Sequence, residues 1–197
     1  MQNDSAQSQV GHLLVMTEHA QKLNNRLREM PLEKPSSVWK QVTSFAVGGL
    51  TEVGFADDTD FLLVISSQGR GLFDCLTGER IARDYESPDA DVDWYNAVRL
   101  VASGIGVLAG QQIRLAGLHG GGLPRFTFDG WSLELAAHNY PIESVFLSPP
   151  LKTVFVDSFA EGCVKITEDY EVRACGFSST GRSFIVARSH TLDIYAR

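Results

Sequence analysis

No apolar run in this chain approaches the roughly 20 residues that a membrane-spanning helix needs, so the expectation is a soluble protein. The stretch His12-Leu-Leu-Val-Met16 is too short for a signal-peptide core and has no basic region before it. Cysteine is scarce. Cys75, Cys163 and Cys175 fall in strand-like segments without Cys-x-x-Cys spacing, which excludes a disulfide framework and predicts buried reduced thiols in a cytoplasmic protein. No Cys/His cluster has zinc spacing, so no metal is expected. Positive charge is in deficit: 17 basic residues face 24 acidic ones, for a net charge of −7. A nucleic-acid binder needs a basic face to displace counterions from phosphates, so this balance argues against that role and favours a neutral or basic partner.

Complete catalytic and cofactor motifs are also lacking. His119-Gly-Gly-Gly122 matches the oxyanion loop of lipases and esterases, but the Gly-x-Ser-x-Gly elbow that would supply the nucleophile is nowhere in the chain. Read without it, the glycine run is a tight loop. Gly104, Gly106 and Gly110 faintly resemble a dinucleotide loop, yet strand-like Gln112-Ile-Arg-Leu-Ala116 follows where a helix should begin. Asp57, Asp58 and Asp60 could suggest calcium. The following Phe61-Leu-Leu-Val-Ile65 offers no further oxygen ligand, and aspartates favour turns in any case. No cofactor is expected and the chain does not read as an enzyme.

Periodicity is abundant. Val10, Leu13, Leu14, Ala20, Leu23, Leu27 and Met30 recur at helical steps and predict a helix from about Ser8 to Met30, stopped by Pro31 and Pro35. This apolar stripe should pack on the rest of the chain or form a homodimer contact. From Val38 onward short apolar runs alternate with glycine, aspartate, serine and proline, the pattern of an all-β region. Leu50–Phe55, Phe61–Ile65, Gly71–Cys75 and Arg80–Arg83 read as four successive antiparallel strands, with Leu76-Thr-Gly-Glu79 as the last hairpin. Ile142–Phe146, Lys152–Val156, Arg173–Phe177, Ser183–Ala187 and Leu192–Tyr195 repeat the pattern, and a less regular unit surrounds Ala97–Val101. Phe55, Phe146 and Phe177 then occupy one equivalent site before a turn, and Val64, Val156 and Val186 should share their burial. The domain division is 1–35 for helix and linker and 36–197 for the β region.

Gly54-Phe-Ala-Asp-Asp-Thr-Asp-Phe-Leu-Leu-Val64 and Gly176-Phe-Ser-Ser-Thr-Gly-Arg-Ser-Phe-Ile-Val186 resemble the core of WD-type β-propeller blades, and Phe73-Asp-Cys-Leu-Thr-Gly-Glu79 resembles their outer hairpin. The resemblance implies a mainly β fold of about four antiparallel blades, closed or partial, behind one N-terminal helix. The tryptophan–aspartate dipeptide of that family is missing from every unit. Fold implies little about function here, because propellers host many unrelated roles.

The most informative polar segment runs from Asp84 to Tyr95. Asp84, Glu86, Asp89, Asp91 and Asp93 lie there with Tyr85, Trp94 and Tyr95, and no lysine or arginine intervenes between Arg83 and Arg99. Carboxylates would steer a basic protein partner while aromatic rings supply contact area. The alternative is a solvated loop whose aromatics turn inward. These features predict a non-catalytic protein-binding module, most concretely a cytoplasmic immunity protein that inhibits a cognate toxin. The competing class is an enzyme or small-ligand sensor using Arg114, His119 and Asp129 in the propeller mouth.

Overall fold

A computed structural model of the chain describes residues 17–35, 38–88 and 92–197. Thr17 caps the helix: its backbone is extended and its side chain accepts from the Ala20 amide at 3.2 Å. Helix α1 (Glu18–Glu29) follows, and Met30 ends it where Pro31 blocks continuation. The expected part of the helix from Ser8 to Met16, with His12, Leu13 and Leu14, lies outside the described residues.

The rest is mainly β. In chain order the strands are β1 (Lys40–Ala46), β2 (Leu50–Phe55), β3 (Phe61–Ser66), β4 (Gly69–Asp74), β5 (Glu79–Asp84), β6 (Tyr95–Asn96), β7 (Val101–Ser103) and β8 (Gln112–Arg114). Then come β9 (Ala116–Gly117), β10 (Ser132–Asn139), β11 (Ile142–Ser148), β12 (Val164–Asp169), β13 (Val172–Phe177), β14 (Ser183–Arg188) and β15 (Thr191–Ala196). They form four antiparallel sheets ordered β10-β11-β12, β1-β15-β14-β13, β5-β4-β3-β2-β9 and β6-β7-β8. We call these sheets A, B, C and D. Sheet B joins the first described strand to the last, through pairs such as Phe45 with Leu192.

The central strands explain how the sheets stack. Successive strand residues face opposite sides, and β14 sends Phe184 and Val186 into a cluster with Leu133, Val145 and Leu147 of sheet A, while Ile185 and Ala187 pack with Leu62 and Val64 of sheet C. Leu63 and Ile65 of β3 then face Ala102 and Ile113 of sheet D. On the far side of sheet A, Phe146 packs with Leu23, Leu27 and Met30 of α1. The order is α1, A, B, C, D, and among the described residues the sheets form no closed ring. Lys165, buried on β12, ties the end of α1 to sheet A by donating to Arg28 O at 3.2 Å and to Glu168 Oε2 at 2.7 Å. Gln21, Lys22, Asn25 and Arg28 of α1 are exposed, as the periodicity predicts. Cys75, Cys163 and Cys175 are buried and free, and no described helix is long and apolar enough to cross a membrane.

Two expectations need correction. Lys152–Val156 is not a strand; after Pro149-Pro150 the chain turns, and Glu134 holds the turn by accepting from Thr153 Oγ1 (2.5 Å) and the Val154 amide (2.9 Å). β12, at Val164–Asp169, takes the place beside β11. Val154 is therefore the buried residue of the run, whereas Val156 is 46% exposed. The three phenylalanines are also not equivalent in position. Phe55 and Phe177 end their strands, but β11 continues past Phe146 to Ser148, and Phe55 is only partly buried where the other two are fully so. Their direction is shared: Phe55 faces sheet B, Phe177 faces sheet A and Phe146 faces α1.

Phe177→Ala should lower the free energy of unfolding by about 3–5 kcal/mol, the usual cost of emptying a packed aromatic site. Val156→Ala should change it by less than about 0.5 kcal/mol. Urea denaturation of both variants checks the contrast.

Candidate functional site

The acidic segment is divided between two tasks. Asp84, at the end of β5, pairs with Arg70 through Nε and Nη2 at 2.9 and 2.8 Å. Arg70 also donates from Nη1 to Ser103 O at 2.6 Å and lies 4.3 Å from the centroid of the Trp94 ring. The Glu86 amide, joined by Arg70, outweighs the burial penalty and holds the Asp84 carboxyl below its usual range. Trp94 is buried among Leu63, Ile65 and Leu72 of sheet C, Ala56 just after β2, and Ala102 of sheet D. Asp84 and Trp94 thus clamp sheet C to sheet D. Glu86 and Asp93 are exposed, and Asp89 and Asp91 lie outside the described residues.

Tyr95 belongs to a second cluster that local sequence does not reveal. Glu52 of β2 is fully buried, and a buried carboxylate must be hydrogen-bonded to be tolerated. It accepts from the His119 amide at 3.1 Å, from His119 Nδ1 at 2.6 Å and from the Tyr95 hydroxyl at 3.2 Å. A carboxylate can only accept, so His119 Nδ1 is the donor in this contact. Burial, then the Glu52 charge and its hydrogen bond, push the Tyr95 hydroxyl well above its usual pKa. A carboxylate–histidine pair can orient a general base, but among the described residues no serine, threonine or cysteine side chain hydrogen-bonds His119. What the pair does here is fasten the glycine loop after β9 to the middle of β2.

The Asp57–Asp60 turn is likewise occupied by protein. Asp60 Oδ1 accepts from Ser178 Oγ (2.7 Å), Thr180 Oγ1 (2.8 Å) and Ser183 Oγ (2.7 Å), and Oδ2 from Arg182 Nη2 (2.6 Å). The turn of sheet C is thereby bolted to the β13–β14 turn of sheet B. Among the described residues no three His, Cys, Asp or Glu side chains gather as a metal site. Arg114, His119 and Asp129 do not converge either: Arg114 lines a cavity with Phe55 and Leu123, His119 joins Glu52, and Asp129 pairs with Arg197 at 2.5 and 2.9 Å.

At the opposite end of the stack the turns meet through backbone bonds. The Ser189 amide donates to Glu171 O (3.2 Å), the Leu50 amide to Ser189 O (2.9 Å) and the Ser67 amide to Gly49 O (2.9 Å). Ser87 Oγ extends the row by donating to Ser67 O at 2.9 Å. Because Glu143 of β11 pairs with Asp169 of β12, the β10–β11 turn sits beside the β12–β13 turn. The rim so formed carries Tyr85, Tyr140 and Tyr170, exposed to 77, 88 and 65%. Exposed Glu86 and Glu171 lie on it as well. Tyr85 was legible as part of the acidic segment; Tyr140 and Tyr170 were not, because only strand pairing brings them to that rim. No protein-family model matches the chain, and no curated protein matches it in sequence.

Burial works against ionisation of Asp60, but the bonds from Ser183, Ser178, Thr180 and Arg182 outweigh it and hold its carboxyl below the usual value. A depressed native pKa contributes stability above the unfolded pKa, near 3.9, and loses it as pH falls through the native value. Asp60→Asn should therefore be less stable than wild type at pH 7, with the gap narrowing below about pH 4. Urea midpoints measured from neutral to acid pH check the sign.

Proposed function

We propose that this chain is a non-catalytic protein-binding module that grips one partner along the tyrosine rim. The observation that carries the reading is the row of exposed Tyr85, Tyr140 and Tyr170 on turns joined by backbone hydrogen bonds. Tyrosine supplies a large, stiff, amphipathic contact surface and is enriched among residues that dominate binding energy. A rim whose backbone is already tied down loses little entropy on binding. Arrays of stacked units offer partners extended surfaces of this kind. The net charge of −7, with exposed Glu86 directly after the first tyrosine and Asp93 also exposed, suits a basic partner. In its most concrete form the module is a cytoplasmic immunity protein that holds a cognate toxin inactive.

The acidic segment keeps a reduced part in this reading. Glu86 and Asp93 add long-range attraction and raise the association rate, while Trp94 and Asp84 act by holding sheet D in place.

The test is recovery of a partner from the native host with tagged wild type and with the triple variant Tyr85→Ala, Tyr140→Ala, Tyr170→Ala. Wild type should retain one stoichiometric protein and the variant should lose it, each tyrosine costing about 2 kcal/mol. Affinity should fall with added salt. A triple variant that folds and still holds the partner overturns the reading. Protection of cells from a toxin encoded beside the gene separates an inhibitor from a scaffold.

A further inference from the structure

A cavity of about 460 Å³ opens at the end of the stack away from the tyrosine rim, lined by Phe55, Leu123, Pro124 and Phe177 with Asp57 and Arg114. Its size falls within the ordinary range for small-molecule sites. The walls are fixed by close backbone crossings. A side chain on Gly54 would collide with Arg114 O, and one on Gly176 with Leu123 and Pro124 O. The Phe177 amide donates to Pro124 O at 2.8 Å. Glycine at these two places lets the segment from β8 to Pro124 lie directly across β2 and β13, which makes one side of the cavity.

The charges are the informative part. In the cleft beside Leu32 and Pro35, Arg188 and Asp193 share a cavity wall and pair at 2.6 Å. Around the cavity at Phe55, Asp57 and Arg114 do not pair with each other. Among the described residues neither side chain makes a hydrogen bond or ion pair, and both are exposed. A ligand with one charge satisfies one of them and leaves the other facing it across an apolar floor. A zwitterion satisfies both.

We propose that this cavity binds a free α-amino acid with a large apolar side chain. Its carboxylate meets the Arg114 guanidinium, its ammonium meets Asp57, and its side chain lies against Phe55, Leu123 and Pro124. The site is independent of the protein-binding reading, since the tyrosines are at the other end.

The experiment is titration of the full chain, followed by NMR chemical shifts and calorimetry, with L-phenylalanine, 3-phenylpropionate and phenethylamine. L-Phenylalanine should bind saturably with shifts at Phe55, Leu123 and Ser179, and at least about tenfold more tightly than either singly charged analogue. Arg114→Gln should abolish its advantage over phenethylamine and Asp57→Asn its advantage over 3-phenylpropionate. Both residues are exposed, so the melting temperature should not move. Leu123→Trp, which fills the cavity, should abolish binding altogether. The triple tyrosine variant should bind the amino acid as wild type does, whatever happens to its protein partner. No saturation by about 10 mM, equal affinity for the three compounds, or shifts confined to another cavity overturns the proposal.

Discussion

A strand alternates its side chains between two faces, and in β3, β11 and β14 both faces are apolar. A sheet built around such a strand has no side it can leave to water. It must be covered twice, and its neighbour, if built the same way, must be covered again. The stack therefore grows until an element with one polar face ends it. Helix α1 does this for sheet A, turning Leu23, Leu27 and Met30 inward and Lys22, Asn25 and Arg28 outward. Sheet D does it at the other end with short strands that alternate: Ile113 is buried while Gln112 and Arg114 on either side are exposed. The shared direction of Phe55, Phe177 and Phe146 follows from the same logic. The helix occupies the place that a further sheet would take.

Apolar burial is non-directional, so it presses the sheets together without fixing how they are offset. Buried polar groups supply the offset. Asp60 joins sheet C to sheet B, Arg70 and Asp84 set sheet C against Ser103 and Trp94 of sheet D, and Lys165 joins sheet A to the helix. Arg197, just after β15, reaches Asp129 in the turn before β10 and so ties sheet B to sheet A. Asp60, Arg70 and Lys165 are buried and hydrogen-bonded, as removal from water demands, whereas the Arg197–Asp129 pair lies at the surface. A buried ion pair often contributes little net stability compared with apolar residues of the same volume. In this fold each of these groups joins two particular elements and so favours the offset that brings its partners within reach.

Strand positions were legible wherever turn chemistry and apolar runs agreed, as in Phe61–Ile65, Ser183–Ala187 and the Leu76–Glu79 hairpin. Lys152–Val156 misled because its alternation of size is real while its partner is absent: Glu134, 19 and 20 residues earlier, bonds Thr153 and the Val154 amide and holds a turn there. The same kind of distance hid the fate of the acidic segment. Whether Trp94 points in or out depends on Arg70, 24 residues away, and Tyr95 is held by Glu52, 43 residues away. Local composition records the presence of such groups and not their partners. Tyr140 and Tyr170 were missed for the related reason that register, set by the Glu143–Asp169 pair, decides which turns are neighbours.

The two ends of the stack solve one problem by different means, and their surfaces differ as a result. Turns of adjacent sheets must be held together at both ends. At the Asp60 end, besides the Phe177 amide on Pro124 O, the bonds run through side chains, Asp60 with Ser178, Thr180, Arg182 and Ser183, and Arg197 with Asp129. Those side chains are consumed, and what stays open is the cavity between them. At the Tyr85 end three joining bonds run from amide to carbonyl, and the side-chain bonds beside them come from Ser87 to Ser67 O and from Arg188 to Asp169 at 3.4 Å. Backbone bonding leaves large side chains free, so tyrosines can project from turns that are already fixed. A concave site at one end and a projecting aromatic surface at the other thus follow from where the sequence spends its hydrogen-bonding side chains.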